Sequence, residues 1–339
     1  MKILVTGASG FIGSFLLTAL RDAGHEVRAA SRSRVEQRGI DYVSAPELGP
    51  DADWSRALNG VDVVIHLAGR AHVPSKNADA ETNEVYFRIN TEGTRALAEQ
   101  AAAAGAKHFV FLSSCHAVAA QSGEILSAET TPRPISVYGR SKLEAERAAR
   151  EALLNTACAW TILRPPLVYG KGNKANFGLL LKLVKSGIPL PLASVRNRRS
   201  FVYVENLVDV IVACLGNPKA FGKTYLPSDG EDVSTPELIR KIAKANQSFQ
   251  FSEFSGSVVE AKVSGSTPAT RDSLLATPCN ARLFPFPESI LKALGCLPSL
   301  SSLRKLTSSL YVDSEFLCED LGWSPRFSIE QGLIKTLVG

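Results

Sequence analysis

The sequence predicts an α/β fold, a doubly wound parallel sheet in residues 1–165, with residues 166–339 forming mostly a smaller C-terminal domain. Three observations carry this. Short apolar runs of strand length alternate with longer segments of helical periodicity through the first half of the chain. Those runs are apolar throughout rather than alternating, the mark of strands covered on both faces. Right-handed crossovers then leave a doubly wound sheet as the economical connection.

Taken in order, Lys2–Thr6 (KILVT) reads as a buried strand and Phe11–Ala23 as a helix with one apolar stripe. Glu26–Ala30 is a second strand after the turn Ala23-Gly24-His25. Asp62–Leu67 is another buried strand, and Val85–Ala104 a long alanine-rich helix. Lys107–Ser113 reads as a strand, Val137–Leu154 as a helix and Ala159–Arg164 as a strand. After about residue 166 the pattern loosens, punctuated by Pro189, Pro191, Pro218, Pro227 and Pro236. A strand at Phe201–Val204 and a helix at Asn206–Leu215 are expected to return to the main sheet. Residues 246–280 are rich in Ser and Thr with weak periodicity, which predicts loops and short strands. Asp313–Leu321 reads as a helix, followed by the turn Gly322-Trp323-Ser324-Pro325 and a short final helix.

Composition narrows the function classes. With 339 residues, 45% of them hydrophobic and 21% charged, the chain is no disordered tail, collagenous fibre or small disulfide scaffold. No apolar run approaches the ~18–20 residues that cross a bilayer. The opening MKILVTGASGFIGSFLLTAL is too broken by glycine and serine for a signal peptide, so a soluble cytoplasmic protein without a membrane partner is expected. Six cysteines lie singly, none in a CxxC pair and no His at zinc-finger spacing, which predicts reduced thiols and no metal. The net charge of +5 does not argue for nucleic acid. Between Glu151 and Glu205, however, there is no acidic residue, while Arg164, Lys171, Lys174, Lys182, Lys185, Arg196, Arg198 and Arg199 fall inside. That run is either a solvated face or a wall of positive potential for a small anion such as a diphosphate. Few aromatics interleave with it, which disfavours a nucleic-acid groove.

The first strand and helix are joined by Gly7-Ala8-Ser9-Gly10-Phe11-Ile12-Gly13. Gly7 permits the tight turn, Gly10 lets backbone approach a diphosphate, and Gly13 lets the helix pack closely on the strand. The helix N-terminus adds free N–H groups and partial positive charge. Gly7, Ser9, Gly10, Phe11, Ile12 and Gly13 are therefore the expected cofactor contacts of a dinucleotide-binding Rossmann domain. The second strand ends Ala29-Ala30-Ser31-Arg32, with no acid to hold ribose hydroxyls and repel a 2′-phosphate. Ser31 and Arg32 thus favour NADP(H), with NAD(H) the alternative.

Tyr138 and Lys142 stand four residues apart at the start of a helix, on one face. A phenol titrates near ~10 in water, and a neighbouring ammonium is expected to lower that and make it a usable acid/base.

The GxxGxxG spacing in TGASGFIG, the YxxxK pair and the Ser-ending strand FVFLSS together resemble the extended branch of the short-chain dehydrogenase/reductase family. The resemblance runs through nearly the whole chain. It implies that Ser114, Tyr138 and Lys142 are catalytic. Counting from the strand start assigns the hydroxyl role to Ser114, while counting back from Val118 points to Cys115; the rigid strand favours Ser114. Leu67, Ala68 and Gly69 resemble the family segment against the cofactor riboses, and Pro165 and Val168, in RPPLVYG, the segment at the carboxamide; Lys142 would also hold the nicotinamide ribose. Asn90 matches a helix asparagine of the family.

For the substrate, the resemblance implies a nucleotide-diphosphate sugar, with Arg199 at the diphosphate, Arg198 second, and Asn176 a weaker contact. Cys115 and His116 stand where dehydratases carry an Asp-Glu pair, which disfavours dehydration. A 4-epimerase or 4-keto reductase of bacterial polysaccharide biosynthesis is the implied activity, and the two long helices resemble a homodimer interface. Two other readings stay open: an NADPH-dependent ketone reductase or alcohol dehydrogenase on an apolar molecule, and a non-catalytic dinucleotide sensor.

Overall fold

The computed structural model describes residues 1–338 apart from 35, 71–79, 174–175, 248–281 and 296–300. Two compact units divide the chain: Met1–Val168, Ser200–Gly230 and Leu310–Arg326 form the first, and Tyr169–Arg199, Glu231–Ser309 and Phe327–Gly339 the second.

The first unit is built on β1 (Lys2–Thr6), β2 (Glu26–Ser31), β3 (Ile40–Ser44), β4 (Val63–His66), β5 (His108–Leu112) and β6 (Ala159–Leu163). After these come β7 (Leu167–Tyr169), β8 (Arg199–Tyr203) and β9 (Lys223–Tyr225). The main sheet has seven strands in the order β3-β2-β1-β4-β5-β6-β9, and the pairings are parallel. Register aligns the carboxyl ends: Thr6 pairs with Ala30 on one side and His66 on the other, His66 with Phe111, and Leu112 with Leu163. The strand order reverses beside β1 and β4, which opens a crevice at that edge where ligands of such sheets bind.

Both faces are buried, as the uniformly apolar strands require. Ile3 and Val5 of β1 join Leu16, Leu17 and Leu20 of the helix Phe11–Asp22 and Leu207 and Ile211 of the helix Val204–Cys214. Leu4, between them in sequence, faces the other way and packs with Leu97 and Ala101 of the helix Gly93–Ala103 and Ala145 and Ala149 of the helix Val137–Leu153. Each fully buried Leu or Ile contributes about 1.5–3 kcal/mol.

Two expectations need correction, and two strands were not anticipated. The segment 201–216 lies in the first unit, but its strand, β8, neighbours β7 in a small separate sheet; the seventh strand of the main sheet is β9. β3, half-exposed at the sheet edge, and β9, three residues long, give no clear period in sequence. The long helix expected over 85–104 is interrupted: Ala80–Tyr86 gives way to a π-helical turn, Phe87–Glu92, before Gly93–Ala103.

The second unit is helical, with Asn176–Lys185, 235–247, Glu288–Leu294, Ser301–Thr307 and Ile329–Val338. The buried Asn197 side chain organises part of it, donating to Thr235 Oγ1 (3.0 Å) and to the carbonyls of Leu306 and Ser308. Of residues 246–280, those from 248 onward lie outside the described residues. No described helix is long and apolar enough to cross a membrane.

Candidate active site

The glycine turn leaves β1 with Gly7 at φ +68°, the left-handed region that favours glycine. A Cβ on Gly7 would lie 2.8 Å from the backbone nitrogen of Ala68, so the loop after β4 presses directly on the turn. Gly10 is the N-cap of the helix Phe11–Asp22 and has no side chain to satisfy the free N–H groups; no acid stands in the first turn. Gly13 lets the helix down onto its own turn, since a Cβ there would lie 2.5 Å from the Ala8 carbonyl oxygen and 2.6 Å from that of Gly7. A cradle of uncapped N–H donors with no side-chain bulk suits a diphosphate. Ser9 and Gly10 are exposed, and Phe11 and Ile12 half-buried. Ser31, at the end of β2, is buried with its hydroxyl donating to the Ser33 carbonyl, while Arg32 is exposed.

The loop after β4 carries Leu67, Ala68 and Gly69 and is held from below. His66, 1% exposed, bonds Thr6 Oγ1 at 2.7 Å and Thr94 Oγ1 at 3.1 Å, and the Ala68 N–H donates to Thr6 Oγ1. Burial, with Lys142 nearby, holds the His66 imidazole down to about 3, so it is neutral near pH 7. Asn90 sits in the π-helical turn and clamps Arg70, accepting from its N–H (2.7 Å) and donating to its carbonyl (3.2 Å). The same amide donates to Ser141 Oγ, which joins this loop to the Tyr/Lys helix. π turns are frequent at functional sites, and this one aims Asn90 and Thr91 inward together.

Ser136 caps the helix Val137–Leu153 by accepting the Gly139 N–H, which sets Tyr138 in its first turn. The Tyr138 phenol is hydrogen-bonded to Ser114, which follows β5, and the Ser114 hydroxyl also accepts the His116 N–H. Lys142, one turn along, donates to the Leu112 carbonyl at 2.7 Å and lies 4.1 Å from the centre of the Phe111 ring. Burial lowers its ammonium to about 7, opposed by Glu146. The phenol departs from expectation: burial pushes Tyr138 up to about 12, outweighing the Ser114 hydrogen bond that favours phenolate. In the protein by itself, desolvation is the larger effect, and the expected ammonium-driven depression is not seen. Cys115 is buried with Val118, Leu126 and Leu310 in an apolar cluster, while it is the Ser114 hydroxyl that meets the phenol.

The NAD dependent epimerase/dehydratase family model matches residues 3–226, from the second residue of β1 to just past β9. The chain belongs to that family. It is 34% identical over 340 residues to UDP-glucose 4-epimerase of Vibrio cholerae, covering 99% of this chain and 94% of that one. Among solved structures, UDP-N-acetylglucosamine 4-epimerase from Bacillus cereus superposes with a TM-score of 0.73 at 18% identity, covering 100% of this chain and 98% of that one. UDP-glucuronic acid 4-epimerase from Bacillus cereus in complex with NAD gives 0.70 at 21% identity, covering 99% and 97%.

As an epimerase/dehydratase-family chain, it places the remaining residues as follows. Pro165 accepts the Cys115 N–H at 3.0 Å, and Val168, within β7, packs against the core of the first unit. Arg164 is no part of a solvent-facing cationic wall: it is buried and pairs with Glu146, its Nε 2.9 Å from Oε1 and its Nη2 2.6 Å from Oε2. Glu146 was missed in sequence, although an acid on the apolar face of a helix, four residues past Lys142, was the available signal. Arg199 Nη1 donates to the carbonyls of Lys305 (2.6 Å) and Ser308 (3.2 Å) at the end of the helix Ser301–Thr307, and Arg198 pairs with Asp232 at 2.8 Å. A run without acids in sequence is thus not acid-free in space. Asn176 opens the helix Asn176–Lys185, and its side chain lies outside the described residues.

Proposed function

We propose that this chain inverts or reduces C4 of a nucleotide-diphosphate sugar, with 4-epimerisation the first reading. The observation that carries it is the hydrogen bond from Ser114, just past the end of β5, to Tyr138, with Lys142 one helical turn further along the helix and the glycine turn at the same sheet edge. The Vibrio cholerae relative's name, a UDP-glucose 4-epimerase, supports the substrate class. The nicotinamide, when bound, supplies the acceptor and donor of hydride. Ser114 holds the substrate oxygen beside the phenol. Tyr138 takes the hydroxyl proton as the carbinol becomes a ketone and returns it as the ketone is reduced. A phenol at about 12 is a reluctant base, so added positive charge beside it sets the working state. Arg199 is proposed at the sugar-nucleotide diphosphate, as the resemblance of its segment implies.

For the cofactor, the exposed Arg32 and the missing acid at the end of β2 support NADP(H), with NAD(H) the alternative. Arg32→Ala should weaken NADP binding about tenfold and leave NAD within twofold, read by calorimetry. Equal effects on both refute the preference. A homodimer through the helices Gly93–Ala103 and Val137–Leu153 is part of the proposal, and a monomeric mass by light scattering up to high concentration would reject it.

The decisive experiment mixes purified protein with UDP-glucose, UDP-N-acetylglucosamine and UDP-glucuronic acid and follows each product by proton NMR. Conversion at C4 that Tyr138→Phe abolishes supports the reading; conversion that survives Tyr138→Phe refutes it. Mass spectrometry of ligand released from the purified protein separates the two branches. Retained NAD fits an epimerase, and an empty site that takes NADPH fits a reductase.

A further inference from the structure

Glu146 has no solvent exposure, and its carboxylate is fully engaged. Oε1 accepts the Ser113 hydroxyl at 2.5 Å and Arg164 Nε at 2.9 Å; Oε2 accepts Arg164 Nη2 at 2.6 Å. Arg150 stands 3.9 Å away on the same helix. A buried ion pair is a weak source of net stability, because both charges are taken out of water. The helix needs no such help, since Ala145, Ala149 and Leu153 already pack it on Phe109 and Phe111.

The three groups join three separate elements: the Tyr/Lys helix, the end of β5 and the exit of β6. Ser113 is the residue before Ser114, and Glu146 is one turn beyond Lys142. The segment around Ser114 is pinned on both sides, with the Ser113 N–H donating to the Leu163 carbonyl (2.7 Å) and the Cys115 N–H to that of Pro165 (3.0 Å). Lys142 adds a second tie from helix to strand through the Leu112 carbonyl. Helix and strand are thus clipped together at two consecutive residues, immediately before Ser114.

We propose that Glu146 is a positioning residue: through Ser113 and Arg164 it fixes the strand end carrying Ser114 against the helix carrying Tyr138 and Lys142. This rests on the catalytic reading of those three residues. Displacements of about 1 Å cost a catalytic constellation up to about a hundredfold in rate, so a clip beside the hydroxyl matters more than its contribution to folding. The charge has a second consequence. The groups that face Lys142 are Tyr138 and Glu146 on its own helix and His66 on β4, with Arg164 acting through Glu146. Glu146 is the anion in that set and favours the ammonium.

The test uses the full-length protein and four variants. Ser113→Ala removes the clip and keeps the ion pair, so its charges stay balanced. It should lower kcat on UDP-glucose about tenfold, with KM, the unfolding midpoint and dinucleotide affinity nearly unmoved; Ser113→Thr, which keeps the hydroxyl, should restore most of it. A kcat within twofold of the unmodified protein overturns the proposal. So does a loss matched by an equal loss of folding stability and dinucleotide binding. Glu146→Gln, followed by NMR of 15N-labelled lysine side chains, should move the Lys142 midpoint to lower pH, because the neighbouring anion is gone. An unmoved midpoint overturns the electrostatic part, and this readout needs no substrate. Turnover that survives Tyr138→Phe sinks the epimerase reading, whereas turnover lost in Tyr138→Phe but intact in Ser113→Ala sinks the positioning role alone.

Discussion

Gly13→Ala tests the cradle directly, because the clash it creates is backbone against backbone. The new Cβ would lie 2.5 Å from the Ala8 carbonyl oxygen, 2.6 Å from that of Gly7 and 2.8 Å from the Ala8 carbonyl carbon. The closest of these is about 0.9 Å inside ordinary contact, and neither partner is a flexible side chain that can swing away. The helix must lift or the turn must open. Overpacking of this kind costs about 1–3 kcal/mol, which for a domain this size lowers the melting midpoint by roughly 2–12 °C. Binding suffers separately. Each N–H donor turned away from a charged oxygen loses about 1.5–3 kcal/mol, tenfold or more in affinity. Gly24→Ala is the control. Gly24 has φ +79° and open space around it, so it should cost about 1 kcal/mol of stability and leave dinucleotide affinity alone. Calorimetric titration with NAD and NADP, beside thermal melts, reads both quantities. A Gly13→Ala protein that binds within twofold and melts at the parent temperature would refute the packing argument.

Two further outcomes follow from the buried polar groups. His66 and His108 are held neutral in the fold, down to about 3 and about 4, by burial. Their folded values lie below the unfolded 6.5, so the stability they contribute is present above that pH and is lost as pH falls toward the folded values. Between pH 6.5 and 5 each should remove about 1 kcal/mol per pH unit, and urea unfolding that stays flat across that window contradicts it. Asn90→Ala releases the Arg70 backbone, so hydrogen exchange at the Arg70 amide should accelerate at least tenfold; unchanged protection would mean the clamp contributes nothing.

The parts of the fold and site that were legible in sequence are the local ones. A strand, a turn and a helix in immediate succession put Gly7, Gly10 and Gly13 in one place without any long-range contact. Tyr138 and Lys142 share a face because four residues make about one helical turn. What sequence could not supply depends on residues brought from afar. Arg164 read as one cation in an acid-free run, yet its partner Glu146 lies 18 residues earlier on another element. Arg198 likewise finds Asp232, which lies beyond the interval. The elevated Tyr138 phenol reflects enclosure, which no spacing reveals. β8 was apolar enough for the main sheet, but pairing, not composition, decides which sheet a strand joins.

The π-helical turn at Phe87–Glu92 makes this stretch sensitive to length as well as to identity. One residue fewer would let the segment rewind as ordinary helix with the flanking turns near their present bearings, because a π turn takes up about one residue more than an α turn. The local bulge that directs Asn90 inward would go, so Arg70 and Ser141 would lose their common tether. Single substitutions on the outer surface of this turn are tolerable, whereas a one-codon gap is not.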